Sequence, residues 1–431
     1  METNRRKFMK TGALAAGAAS LPILGSAQAG TSSTLKVALV GCGGRGIEAL
    51  RQVMRNPGIE VVALADAFEG GINAAMNAIN NTEKGQGTAV NVPQERRFVG
   101  LTSYKGAIDS CDLVLLCSPP VWRPNHFSYA VEKGVHSFME KPVASNAAGV
   151  RQVLDAARVA KEKNLKVSVG FQRRFDPVYL ETYQRVADGM IGDVVAAQVH
   201  WMSGGVWVRE RQPGESEMHF QCRNWYYFYW NSGDGIAEQH IHNIDIANWF
   251  IGDTPERSYG IGSRSVRIGP NYGDIYDAFG VEFVYDKGIT VNSYWRHHPN
   301  TANRVGETIL CATGRAQAGR IWNRDGQEIW RYEGERVNPM QEQQNELVKA
   351  IRENGEMDMA ELGAKSTMTA ILGRMAAYSG QNVPMSRALA ANDEGLVPEE
   401  SFEATPPVLP GDDGLYPTPV PGVYDPFNPL G

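Results

Sequence analysis

Residues Lys36–Val40 (KVALV), the turn Gly41-Cys42-Gly43-Gly44-Arg45-Gly46 and the amphipathic stretch Ile47–Arg55 (IEALRQVMR) decide the fold. An apolar run of strand length leads into a Gly-x-Gly-x-x-Gly turn, and a helix-period pattern leads out of it. A second apolar run, Glu60–Asp66 (EVVALAD), ends on an acidic residue twenty positions beyond Gly46. Each part has a task in holding a dinucleotide. Gly41 permits the tight turn, Gly43 lets the backbone approach a pyrophosphate, and Gly46 lets helix and strand pack closely. Gly44 and Arg45 head the helix, whose free N–H groups face the phosphates. A carboxylate at Asp66 accepts hydrogen bonds from a ribose 2′-hydroxyl and repels a 2′-phosphate, so the stretch predicts NAD in preference to NADP.

Outward from this turn, strand-like runs alternate with helical patterns from residue 35 to about 170. The predicted strands are 36–40, 60–65, 96–100, 112–117, 135–140 and 166–170. Such alternation predicts an α/β Rossmann domain over 35–170, a doubly wound parallel sheet with helices on both faces. Beyond residue 190, runs such as VVAAQVHWMS, GVEFVYDKG and ITVNSYWRH follow one another with few helices between. They predict a second, α+β domain over 171–380, with a mostly antiparallel open sheet. A helix over 363–380 is expected to pack back on the first domain. The tail over 381–431, dense in Pro and Gly, reads as extended.

The whole chain of 431 residues is long enough for two domains, and its composition is 42% apolar and 21% charged, as in soluble globular proteins. A net charge of −6, spread along the sequence, argues against nucleic acid as a partner. Five irregularly spaced cysteines form neither a disulfide framework nor a CxxC metal pattern, so no metal is expected. At the amino terminus, Asn4-Arg5-Arg6-Lys7-Phe8-Met9-Lys10 precedes a mild apolar run and Ala27-Gln28-Ala29. This resembles a twin-arginine export signal over 1–29, which predicts a periplasmic protein. The run is shorter than the ~20 residues of a membrane span, so stable insertion is not expected.

Four segments carry candidate chemistry. Ser118-Pro119-Pro120 and Glu140-Lys141-Pro142 end predicted strands, at the edge where parallel sheets bind ligands. Gly170-Phe171-Gln172-Arg173-Arg174-Phe175-Asp176-Pro177 ends the next strand, with Gln172 facing the nucleotide and Arg173 a candidate for substrate oxygens. In the fourth, a helix from about Glu238 would place Glu238, His242, Asp245 and Trp249 on one face. His240 would point about 160° from His242, which argues against a His-x-His metal pair there. Upstream, Arg223 and Asn224 precede six consecutive aromatics, Trp225 to Trp230. Arg223, Asn224 and Tyr226 could hydrogen-bond sugar hydroxyls, while individual rings also suit a core.

Together, the glycine turn, Glu140-Lys141-Pro142, the GFQRRFDP segment and the carboxylate-x-x-x-His-x-x-Asp-x-x-x-Trp run resemble the glucose–fructose oxidoreductase/inositol dehydrogenase/MocA family over about residues 35–380. The resemblance implies NAD-dependent hydride transfer at a sugar or cyclitol carbon, and a homo-oligomer. It implies that Lys141 polarises the reacting hydroxyl, that His242 takes or gives its proton, and that Asp245 holds a neighbouring hydroxyl. Glu238 stands where many relatives carry Asp, and Arg123 where many place a histidine. Export implies a cofactor loaded before translocation and regenerated within each cycle. Transient-oxidation glycoside cleavage or epimerisation, and a non-catalytic sugar-binding protein, are the alternatives.

Overall fold

The computed structural model describes residues 34–430, so the predicted export signal over 1–29 lies outside the described residues. Seven strands form the first sheet: β1 (Leu35–Val40), β2 (Ile59–Asp66), β3 (Ala89–Val90), β4 (Arg97–Val99), β5 (Leu113–Leu116), β6 (His136–Met139) and β7 (Val167–Val169). Their order is β3-β2-β1-β5-β6-β7, with β4 also paired to β2, and every pairing is parallel. The near-continuous apolar runs follow from this arrangement, because a parallel sheet covered on both faces buries every side chain. Val37, Leu39, Val61, Leu64, Leu113 and Leu115 are all fully buried. β3, too short to show a pattern in the sequence, is the strand that the reading omits.

The helix Gly44–Met54 starts inside the glycine turn and buries Ala49, Leu50, Val53 and Met54. Each such Leu or Val contributes ~1.5–3 kcal/mol when fully buried. A helix absent from the sequence reading, Pro339–Glu353, packs against it. Gln341 donates to the Gln52 carbonyl at 2.8 Å, and Leu347 and Val348 enter the same core cluster. The helix predicted over 363–380 spans Ala360–Ser379 and packs against both the helix Ala147–Glu162 and the second sheet. The later chain thus returns to the first domain.

The second sheet holds β8 (Val194–Ser203), β9 (Arg257–Ser263), β10 (Ala278–Val284), β11 (Thr290–His297), β12 (Arg304–Cys311), β13 (Gly314–Gln317), β14 (Arg320–Asn323), β15 (Glu328–Arg331) and β16 (Val383–Pro384). Its order is β15-β14-β13-β12-β8-β11-β10-β9-β16. Only β8 and β11 run parallel; the remaining pairs are antiparallel. The helix Ile241–Ile251 lies over β8 and β12 on the inner face. Ile261, Val305, Val195, Tyr259 and Tyr294 are exposed elsewhere on the sheet.

Candidate active site

At the glycine turn, Gly41 has φ +91°, and a Cβ there would strike the backbone of Cys117 and Ser118. A Cβ on Gly46 would strike the Gly41 carbonyl, so the helix can approach the strand only without one. Gly43 and Gly44 face open space, and Gly43 caps the helix without any side-chain hydrogen bond. The helix therefore presents its first N–H groups beside open space, which suits an anionic pyrophosphate. Asp66 closes the far side. Its carboxylate accepts from Cys42 N at 2.6 Å and Phe68 N at 2.9 Å, which fixes its orientation beside the turn. Burial raises its pKa and the two amides oppose the rise. These residues fit a dinucleotide.

A chain of contacts joins this cradle to the candidate catalytic lysine. Arg45 donates from Nε to Glu140 Oε1 at 2.6 Å, and Glu140 Oε2 accepts from Lys141 N at 3.2 Å. A Cβ on Gly170 would crowd the same carboxylate, so β7 also supports it. Lys141 donates from Nζ to the Glu238 carbonyl and lies 3.4 Å from Glu238 Oε1. Beneath it, the buried Arg123 donates to the Pro142 carbonyl. Ser118 Oγ and His126 Nδ1 are 3.0 Å apart, and the His126 ring stacks on Tyr104. Pro119 caps the short turn Pro120–Trp122, and Gln172 opens the turn that follows β7.

His242 lies on the helix Ile241–Ile251 and is nearly buried. Burial pushes its pKa well below that of free imidazole, and the charges of Lys141, Arg173 and Arg45 press it further. Its Nδ1 is buried with no hydrogen-bond partner. Phe171 and Trp201 flank the ring, with centroids at 6.3 and 6.1 Å. The sequence reading missed Trp201. The alternation Ala197, Val199, Trp201 along β8 puts it on the inner face with two fully buried neighbours, and this is the signal that could have found it.

The shared helical face is interrupted. A short helix, Gly235–Glu238, ends before the longer one starts at Ile241, so Glu238 turns to Lys141 while Asp245 turns to Arg174. Arg174 meets Asp245 through two hydrogen bonds of 2.9 Å, and Ser366 adds a third at 2.7 Å. Arg174 also lies over the Trp249 ring at 4.8 Å. With both oxygens engaged and 1% exposure, Asp245 holds the fold and does not face a hydroxyl, which corrects that expectation. Asn224 is corrected likewise: fully buried, it accepts from Arg209 N and donates to the Asn271 carbonyl. Arg223 is paired with Glu215 at 2.7 Å. Arg173 pairs with Glu307 at 3.1 Å, and Asn243 donates to that same carboxylate at 2.7 Å. Five of the six consecutive aromatics, Tyr226 to Trp230, are buried in the core. Tyr226 lies 3.5 Å from His297 Nδ1. His240 is 2.8 Å from Ser293 Oγ and is fully buried.

Residues 35–171 match the family described as "Oxidoreductase family, NAD-binding Rossmann fold", and residues 179–317 match the "GFO/IDH/MocA C-terminal domain". Inositol 2-dehydrogenase of Rhizobium meliloti (strain 1021) is 27% identical over 222 residues, 52% of this chain and 56% of the relative. The match thus spans about half the length of each protein. The solved structure of aldose-aldose oxidoreductase from Caulobacter crescentus, complexed with glycerol, gives a TM-score of 0.64 at 17% identity, covering 81% of this chain and 99% of that one. Scyllo-inositol dehydrogenase from Lactobacillus casei, with bound NAD(H) and scyllo-inositol, gives 0.60 at 18%, covering 82% and 100%. At these identities the structural likeness speaks for the fold. With both domain types matched in succession over the two sheets described above, the chain belongs to the GFO/IDH/MocA oxidoreductase family.

Proposed function

We propose that this protein moves hydride between a secondary hydroxyl carbon of a sugar or cyclitol and a nicotinamide cofactor held at Gly41–Gly46. The buried imidazole of His242, in the field of the Lys141 charge, carries this reading. Gly43, Gly44 and Asp66 hold the cofactor, NAD in preference to NADP, and Glu140 ties that cradle to the lysine through Arg45. When bound, the nicotinamide supplies the hydride chemistry. The protein does the rest. His242, kept neutral by burial, accepts the hydroxyl proton as the carbonyl forms. Lys141 favours negative charge on that oxygen, and its two contacts with Glu238 hold the ammonium in place. Phe171 backs the histidine from the core, and the partly exposed Trp201 ring offers apolar surface suited to the C–H face of a ring.

The amino-terminal motif adds a location. The protein is exported folded by the twin-arginine route, with its cofactor already loaded, and acts in the periplasm. A cofactor that is not exchanged must be regenerated by a second sugar or by return of the hydride to the same substrate. Exposed Ile261, Val305, Val195, Tyr259 and Tyr294 supply an apolar surface for self-association. The test is mass spectrometry of nucleotide released on denaturing the purified protein, followed by a sugar panel. NAD in near-equal amount to protein, and reduced nicotinamide on adding one sugar, are expected. Aglycone release without net reduced cofactor points to cleavage by transient oxidation. Protein that neither carries nor takes up nucleotide overturns the reading.

A further inference from the structure

The sequence predicts an extended tail over 381–431, and the structure stitches its first half to one edge of the parallel sheet. Asp393 accepts from Ala147 N and Ala148 N, both at 2.8 Å, at the head of the helix after β6. Glu394 pairs with Arg151 on that helix. Glu400 accepts from Asn125 at 2.9 Å, in the helix after β5, and from Tyr104 at 3.2 Å, in the helix after β4. Phe402 then packs on Phe68, centroids 5.5 Å apart. Phe68 follows Asp66 by two residues, and its N–H binds that carboxylate. Residues 393–402 thus cross the carboxyl edge of the sheet from β6 to β2. Ten extended residues reach ~33 Å, and the three strand spacings between β2 and β6 need only ~14 Å, so the run crosses without strain.

The second domain closes the same corner. His219 lies 4.9 Å from Phe68 and 5.2 Å from Phe402, ring to ring. Beyond it the tail is pinned again. Val408 accepts from Gln221 at 2.8 Å, and the Tyr416 hydroxyl lies 2.7 Å from Glu217 with its ring against Phe228. A dinucleotide in a doubly wound sheet lies across the carboxyl edge, with its adenosine end by the acidic residue that closes the second strand. In this chain that is the corner where Phe68, His219 and Phe402 meet. Phe68 and Phe402 both keep partial exposure although they pack on each other, so the corner retains ring surface for a further planar group.

We propose that residues 393–402 strap the nucleotide into its site, with Phe402 and Phe68 forming the aromatic wall of the adenine pocket, so that the cofactor leaves only when the strap lifts. This rests on the nucleotide reading above and supplies the retention that an exported enzyme needs. The test loads wild type and variants with NADH and follows the loss of bound-nucleotide fluorescence on adding excess NAD. Phe402→Ala should release NADH roughly three- to tenfold faster, the worth of one aromatic stack, and Phe402→Leu should fall between. Val423→Ala, exposed on the same tail, should match wild type. Hydrogen exchange gives a readout without mutation: NADH should slow amide exchange over residues 398–404. Wild type that neither carries nucleotide nor takes up NADH overturns the nucleotide reading and this inference with it. Wild type that binds NADH, with unchanged release from Phe402→Ala and no added protection over 398–404, overturns the strap alone.

Discussion

Two cation–carboxylate pairs join the halves of the site, and they are built differently. Arg174 and Asp245 meet through two parallel hydrogen bonds of 2.9 Å, the carboxylate 1% exposed and held also by Ser366. Lys141 and Glu238 meet at 3.4 Å with 12% and 17% of their side chains exposed, and the shorter bond from Nζ goes to the Glu238 carbonyl. The first pair has the planar fork geometry that fixes one arrangement. The second leaves an ammonium with three donors, two of them directed at one residue, and its charge acts on the His242 imidazole. The tight pair positions the helix Ile241–Ile251, and the loose one keeps a charge available to a ligand.

The sharpest way to break that contrast is to remove the available charge. Lys141→Met should lower kcat by ~10²–10³, the usual range for losing one group that stabilises a developing oxyanion, with unfolding midpoints near wild type. A second readout separates this from simple damage. The Lys141 charge presses the His242 pKa downward, so its removal should move that titration upward, visible in imidazole resonances against pH. Loss of activity with an unmoved His242 titration would detach the lysine from the histidine.

The tight pair should fail in the opposite manner. Asp245→Asn leaves Arg174 largely buried without its counter-charge, and breaking a buried pair from one side costs about 3–5 kcal/mol. Urea unfolding should show the loss as a lower midpoint. At temperatures where the variant stays folded, kcat should fall much less than in Lys141→Met. A variant of unchanged stability with a raised KM would return Asp245 to the substrate.

What the sequence made legible follows from the range of the forces involved. The glycine turn, the acidic end of β2 and the apolar strands are local patterns, and the parallel sheet followed from them. Asp245 was misassigned because its partner, Arg174, is 71 positions away, and no local pattern marks a contact at that separation. The helix Pro339–Glu353 escaped notice because its buried face includes Gln343 and Gln344 beside Leu347 and Val348, which blurs the apolar period. The tail read as extended because its prolines do forbid long elements. Its packing rests on single rings among them, Phe402, Tyr416 and Tyr424, which carry no periodicity.

The smallest change tests how loose the loose pair is. The principal bond from Lys141 goes to the main-chain oxygen of residue 238, which any side chain leaves in place. The carboxylate adds a 3.4 Å attraction at a partly exposed site, and such pairs are worth ~0–1 kcal/mol. Glu238→Asp retracts the charge by one methylene and should therefore change kcat/KM by less than about fivefold, since ~1 kcal/mol sets the ceiling. Glu238→Gln keeps the length and removes the charge, so it separates distance from electrostatics. If Glu238→Asp loses as much as Lys141→Met while Glu238→Gln loses little, then reach matters more than charge at this position, and the side chain touches substrate.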